Sequence, residues 1–207
     1  MPAVTQEEVR DAPGVDKTRP VPGAGAFGLA LLLLSLAVLF GSSLVGYFFV
    51  RASAGEWPPR GLPPLPPLLW AATGALVLVS VALHLALSAA RRDAQGRLVR
   101  CLFAAAGLGT LFLALQALNW WEYRAPLEAA HARDDTSGVR WLGQFYVLTA
   151  LHALHVVAGL IPLWVTAVRA RAGRYGPGER TGPLLCAMYW HFLDAVWLVI
   201  FGVLLLF

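Results

Sequence analysis

Five long apolar runs, broken by short charged or proline-rich stretches, constrain this chain more than any other feature. A membrane-crossing helix needs about 20 consecutive, mostly apolar residues. Runs of that kind cover approximately residues 25–50, 67–90, 98–120, 141–168 and 184–207. Of the 207 residues, 58% are hydrophobic and 14% charged, where an ordinary soluble domain carries about 25% charged. Lipid therefore stands in for much of a core. The expected fold is all-α: a polytopic bundle of five transmembrane helices in a multi-pass membrane protein. The formal net charge of +4 comes from arginines in the polar connections, so topology accounts for it and no nucleic-acid partner is expected.

The polar stretches set the organisation. Residues 1–24 are charged, punctuated by Pro and Gly, and without periodicity, which reads as a flexible polar tail ahead of a five-helix domain over 25–207. The first apolar run is about twice the length of a signal-peptide core, so it reads as a retained span. PPRGLPPLPP (58–67) must be a loop, because proline removes amide donors and clashes with the preceding turn. The 121–140 connection is charged and mixed in sign. Counting Lys and Arg near the span ends places eleven on the side of the tail and of the loops near 91–100 and 169–183, against five on the other. The expected orientation is N-terminus cytoplasmic and C-terminus outside, with Trp57, Trp70, Trp120, Trp121 and Trp141 at or near the outer interface. Cys101 and Cys186 stand far apart with no CxxC, so neither a disulfide framework nor a thiolate metal site is expected.

Ionisable groups inside a membrane cost about 2.5–3.5 kcal/mol at mid-bilayer and call for a partner or a purpose. Asp194 lies roughly 15 Å into span five at 1.5 Å per residue. Trp190, Asp194 and Trp197 share one helical stripe, with His191 three residues before the aspartate and Tyr189 at the head of the motif. Span four carries a matching stripe of Thr149, His152, His155 and Gly159, the glycine permitting close approach. Spans four and five are expected as antiparallel neighbours, their polar stripes meeting in an interhelical clamp that includes a His–Asp hydrogen bond. A second reading makes His152, His155, His191 and His84 ligands of haem or copper. His152 and His155 point the same way and cannot grip one haem across its plane, while a pairing of either with His84 stays open. Gln116 and Asn119 share a face near the outer end of span three, with Glu122 following at the interface; hydrogen bonding to a neighbouring span is their default role. Thr73, Ser80 and Ser88, with Ser42 and Gly46, suit close helix packing. No Gly-rich phosphate loop, GxSxG or CxxCH is present, so hydrolase and nucleotide-dependent chemistry have no support.

The last span reads YWHFLDAVWLVIF (189–201) and resembles the terminal-helix signature YWHFxDxVWLxxF of subunit III of haem–copper terminal oxidases. YVLTALHALHVVAGL (146–160) is similar to the family's FxLTGxHGxHVxxGL, with Ala150 and Ala153 in place of glycines. FLALQ (112–116) with WEY (121–123) resembles the family's FLxxQ and nearby EY, and YFFVR (47–51) resembles its YFxxR. The resemblance covers about residues 25–207 and points to the family's shorter, five-span bacterial form. It implies a non-catalytic subunit with no haem or copper of its own, those groups belonging to partner subunits. It also implies packing against subunit I in a complex with subunit II, bound phospholipid, and a bacterial inner membrane. On this reading Thr149, His152, His155, Gly159, Tyr189, Trp190, His191, Asp194 and Trp197 are motif positions with structural rather than redox roles.

Two positions depart from the family pattern. Many relatives carry an acidic residue eleven positions before the tyrosine of YFxxR, where this chain has Leu36 after Ser35. Many also carry a glutamate shortly before YWHF, where Gly182, Pro183, Leu184 and Leu185 stand here. Roles that depend on those carboxylates are not expected. An accessory subunit of a nitric oxide reductase, or a stand-alone haem b membrane protein, are the alternative readings.

Overall fold

A computed structural model describes residues 23–54, 57–59, 64–175 and 179–206; the expected polar tail lies almost wholly outside them. Five α-helices make up the fold, and the described residues contain no strand. They are α1 (Ala24–Ala52), α2 (Leu68–Arg91), α3 (Gln95–Ala132), α4 (Thr136–Arg171) and α5 (Thr181–Leu206). All five are long and apolar enough to cross a membrane. The described residues of PPRGLPPLPP are non-helical, and α2 begins directly after its last proline, which suits a position whose amide needs no helical acceptor.

α2, α3, α4 and α5 form a closed ring, each packed against its chain neighbours and α2 against α5. α1 stands outside the ring and touches only α4 and α5 among the described helices. Only Leu36, Phe40 and Tyr47 of α1 are buried, a single stripe at helical spacing, whereas Leu31, Leu34, Val38, Val45 and Phe49 are exposed. An apolar helix with one buried stripe is stable here because lipid, not water, meets its other faces.

The connection expected over 121–140 is largely helical. α3 runs 38 residues to Ala132 and α4 resumes at Thr136, leaving only Arg133, Asp134 and Asp135 to turn. Hydrophobicity ends near Trp120, but the residues beyond it still favour a helix: Ala, Leu, Glu and Arg have good intrinsic propensity. Arg124 pairs with Glu128 one turn on, Nε to Oε1 at 3.5 Å, and its guanidinium sits 4.2 Å above the Trp121 ring. Asp134 takes the left-handed conformation that closes the turn (φ 54°). Asp135 then caps α4, its Oδ1 accepting from the Gly138 amide at 2.9 Å. The α2–α3 connection is as tight, Arg92 to Ala94, and the Gln95 side chain ties it to the far end of α4 through the Ala170 carbonyl.

Candidate functional site

Several of the polar groups that the sequence singled out lie in the ring interior and are tied to a neighbouring helix by one hydrogen bond. Thr149 links α3 and α4: its Oγ1 donates to the Phe145 carbonyl at 2.7 Å and accepts from Trp120 Nε1 at 3.0 Å. Tyr146 adds a second link, its hydroxyl donating to the Trp120 carbonyl at 2.7 Å. Thr73 does the same for α2 and α5, donating to the Leu69 carbonyl at 2.8 Å and accepting from Trp197 Nε1 at 3.0 Å. Each threonine spends its proton on its own helix and offers a lone pair across the gap, so an indole N–H is satisfied without a buried charge.

The expected contact between α4 and α5 is present and is built on two glycines. Tyr189 donates its hydroxyl to the His155 carbonyl at 2.9 Å, and Trp190 Nε1 donates to the Gly159 carbonyl at 3.3 Å. A Cβ at Gly159 would lie 2.5 Å from Tyr189 Cε1, and one at Gly109 on α3 would lie 2.8 Å from Trp190 Cη2. Trp190 is therefore wedged between α3 and α4 by the absence of two side chains. Thr166 and Cys186 extend this contact, their Oγ1 and Sγ 3.3 Å apart.

The anticipated His–Asp hydrogen bond is not formed. His152 is fully buried, yet neither ring nitrogen has a hydrogen-bond partner, and Asp194 Oδ1 has none either. Aromatic rings enclose His152 instead. Trp197 lies at a centroid distance of 4.9 Å, Phe112 meets it edge-on at 5.6 Å, and Phe40 of α1 lies at 6.2 Å. With the Trp197 indole against the imidazole, α5 presents an aromatic ring rather than its carboxylate to His152. Gln116 and Asn119, on α3 below Phe112, are also buried with unpartnered amide atoms.

The other histidines divide by face. His155 turns Nδ1 back to the Leu151 carbonyl at 2.7 Å, and its ring sits edge-on to Phe40 at 5.2 Å. His191 and His84 are exposed, as is Glu122, and His191 Nδ1 lies 3.0 Å from Ser80 Oγ on α2. No three His, Cys, Asp or Glu side chains among the described residues converge on a point that could hold a metal ion. Of the five tryptophans expected near the outer interface, Trp70 and Trp121 are exposed, Trp57 and Trp120 half-buried, and Trp141 is buried beside Tyr123 at a centroid distance of 6.2 Å.

Sequence reasoning gave no role to Phe40 or Gly109, and placed Phe112 only within the FLALQ motif. The 112, 116, 120 spacing marks one face of α3 and was the available signal for Phe112 facing α4.

A family model for cytochrome c oxidase subunit III matches residues 13–207. The chain belongs to the cytochrome c oxidase subunit III family. "Cytochrome c oxidase subunit 3" of Synechocystis is 30% identical over 183 residues, covering 87% of this chain and 74% of that protein. "Cytochrome c oxidase subunit 3" of Thermostichus vulcanus is 28% identical over 207 residues, 97% and 96% of the two chains. "Probable cytochrome c oxidase subunit 3" of Nocardia farcinica is 28% identical over 182 residues and 87% of each.

Within this subunit III chain the resemblance motifs fall on one structural unit. YWHFLDAVW supplies Tyr189, Trp190 and Trp197, and the span-four motif supplies Thr149, His155 and Gly159; the bonds Trp120–Thr149, Tyr189–His155, Trp190–Gly159 and Trp197–Thr73 each use at least one of these residues. Leu36, one of the departures from the resemblance pattern, is buried on α1 one turn before Phe40. Leu184 is exposed near the start of α5.

Proposed function

We propose that this chain is the non-catalytic subunit III of a respiratory haem–copper oxidase, a complex that reduces oxygen to water and conserves the energy as a proton gradient. The observation that carries this reading is the family match across nearly the whole chain. The interior supports it, because its hydrogen-bonded polar groups join helices and, among the described residues, none forms a nucleophile–base pair. The relatives described above are each named as cytochrome c oxidase subunit 3, which favours an oxidase over a nitric oxide reductase and over a stand-alone haem protein. Haem and copper belong to the partner subunits I and II. The membrane is the bacterial inner membrane, with the N-terminus cytoplasmic and the C-terminus outside, on the strength of the Lys and Arg distribution.

A bound phospholipid has a fitting place. A groove of about 380 Å³ between α1, α4 and α5 is lined by Leu29, Leu32, Pro162, Val165, Leu185 and Tyr189, with Arg169 at its margin. The apolar wall suits an acyl chain and the guanidinium suits a phosphate.

Purification decides the main point. The chain expressed alone should be colourless, and the tagged chain expressed with its operon should bring down a haem-bearing membrane protein that reduces oxygen. A Soret band in the isolated chain that His152→Ala abolishes would overturn the accessory reading. A C-terminal alkaline phosphatase fusion should be active; an inactive one reverses the orientation.

A further inference from the structure

We propose that the α2–α5 face bearing Ser80, His84 and His191 is the seat of a transmembrane helix of a neighbouring subunit, one that presents a side-chain oxygen acceptor at mid-membrane depth. The inference rests on the oxidase reading above and adds to it which face meets the partner.

Depth comes first. Ser80 lies twelve residues beyond Leu68, the start of α2, and His191 ten beyond Thr181, the start of α5, about 18 and 15 Å along their helices. Both positions are deep in the hydrocarbon zone. His84 is one turn from Ser80 on the same helix face, and the Nδ1 to Oγ contact of 3.0 Å fixes His191 beside Ser80. The two imidazoles therefore share one surface, and both are exposed.

Lipid does not suit this surface. His84 makes no hydrogen bond among the described residues, and His191 uses only Nδ1, so each ring keeps an N–H or lone pair that acyl chains cannot satisfy. The exposed serines of α1, and Thr110 of α3, are self-satisfied. Ser35 and Ser42 on α1 donate to the Leu31 and Val38 carbonyls of their own helix at 3.1 and 2.8 Å. The outer face of α4, including Leu154, Val157, Ile161 and Val165, is apolar. The α2–α5 face thus leaves imidazole polarity at mid-membrane depth for something outside the chain.

Complementarity names the occupant. Two neighbouring imidazoles ask for a carboxylate, amide or hydroxyl oxygen, and at this depth only another protein helix brings one. The surface admits a helix closely beside His191, because the small Ala195 lies exposed one turn beyond it.

The test uses the whole oxidase, extracted in mild detergent through a tag on this chain. Recovery of the haem-bearing subunit with the H84L/H191L variant should fall about tenfold. H84N/H191N, which keeps hydrogen-bonding capacity, should stay near wild type, and both variants should accumulate in the membrane normally. As a measurement independent of folding, a photoreactive benzoylphenylalanine at Ala195 should crosslink to the haem-bearing subunit, and one at Val157 should not. Undiminished recovery of H84L/H191L, or a crosslink from position 157 with none from 195, overturns the inference while leaving the oxidase reading intact. If H84L/H191L does not accumulate, the crosslinks alone decide. A wild-type chain that brings down no haem-bearing subunit overturns the oxidase reading, and this inference with it.

Discussion

Trp190 occupies the space that a side chain at Gly109 would need: a Cβ there would lie 2.8 Å from Cη2 of the indole and 3.0 Å from Leu160 Cδ2. The side chain absent at Gly109 on α3 and the one absent at Gly159 on α4 allow a fully buried indole to stand between two helices.

Gly109→Ala and Gly159→Ala should therefore each lower the thermal stability of the detergent-solubilised chain by about 1–3 kcal/mol, since the indole and the Tyr189 ring cannot give way cheaply. Gly107→Ala, where an added Cβ meets nothing within 4 Å, is the control. It should hold or slightly raise stability, because alanine is the better helix former. Equal behaviour of Gly107 and Gly109 in thermal melts would show that the wedge is not tight.

The bond from Trp197 Nε1 to Thr73 should appear as a coupling. Trp197→Phe and Thr73→Val each lose about 0.5–1.5 kcal/mol, and the double variant should lose less than their sum, by about 0.5–1 kcal/mol. Strict additivity in the double-mutant cycle would mean that the 3.0 Å contact contributes nothing.

His152→Phe and Asp194→Leu should leave the stability of the isolated chain unchanged or raised. Neither His152 nitrogen and not Asp194 Oδ1 has a hydrogen-bond partner to forfeit, and an apolar side chain of similar size removes a desolvated polar group. A loss above about 2 kcal/mol in thermal melts would show that these groups do have partners.

Tyr123→Phe should loosen the α1–α2 connection. The Tyr123 hydroxyl donates to the Pro64 carbonyl at 2.7 Å, fastening the proline-rich stretch to α3. Limited proteolysis between α1 and α2 should accelerate about fivefold, as a bond of about 1 kcal/mol implies. An unchanged cleavage rate counts against this fastening.

Much of the architecture was legible because a membrane demands a continuous apolar run for each span, and such runs need no knowledge of neighbours. The α4–α5 contact was legible for a related reason: Thr149, His152, His155 and Gly159 declare a polar stripe by spacing alone. Pairing within that contact was not. Whether Asp194 or Trp197 meets His152 depends on the rotation of α5 about its axis, which Trp190 sets through two glycines on other helices. The bond between Thr73 and Trp197 joins residues 124 positions apart, and no local pattern marks it. The helical continuation past Trp120 was missed because hydropathy reports where lipid ends, while Glu122, Arg124 and Glu128 carry the helix onward in water.

That continuation gives the molecule relief. From Trp121 to Ala132 α3 rises about 18 Å at 1.5 Å per residue, and α4 descends beside it from Thr136. The paired ends form a braced post with Arg133, Asp134 and Asp135 at its summit, while at the other end of α3 the turn from α2 is only Arg92 to Ala94. A water-soluble protein gliding over the two surfaces would meet different terrain: a charged pinnacle on one, and a nearly level floor at the α2–α3 turn on the other.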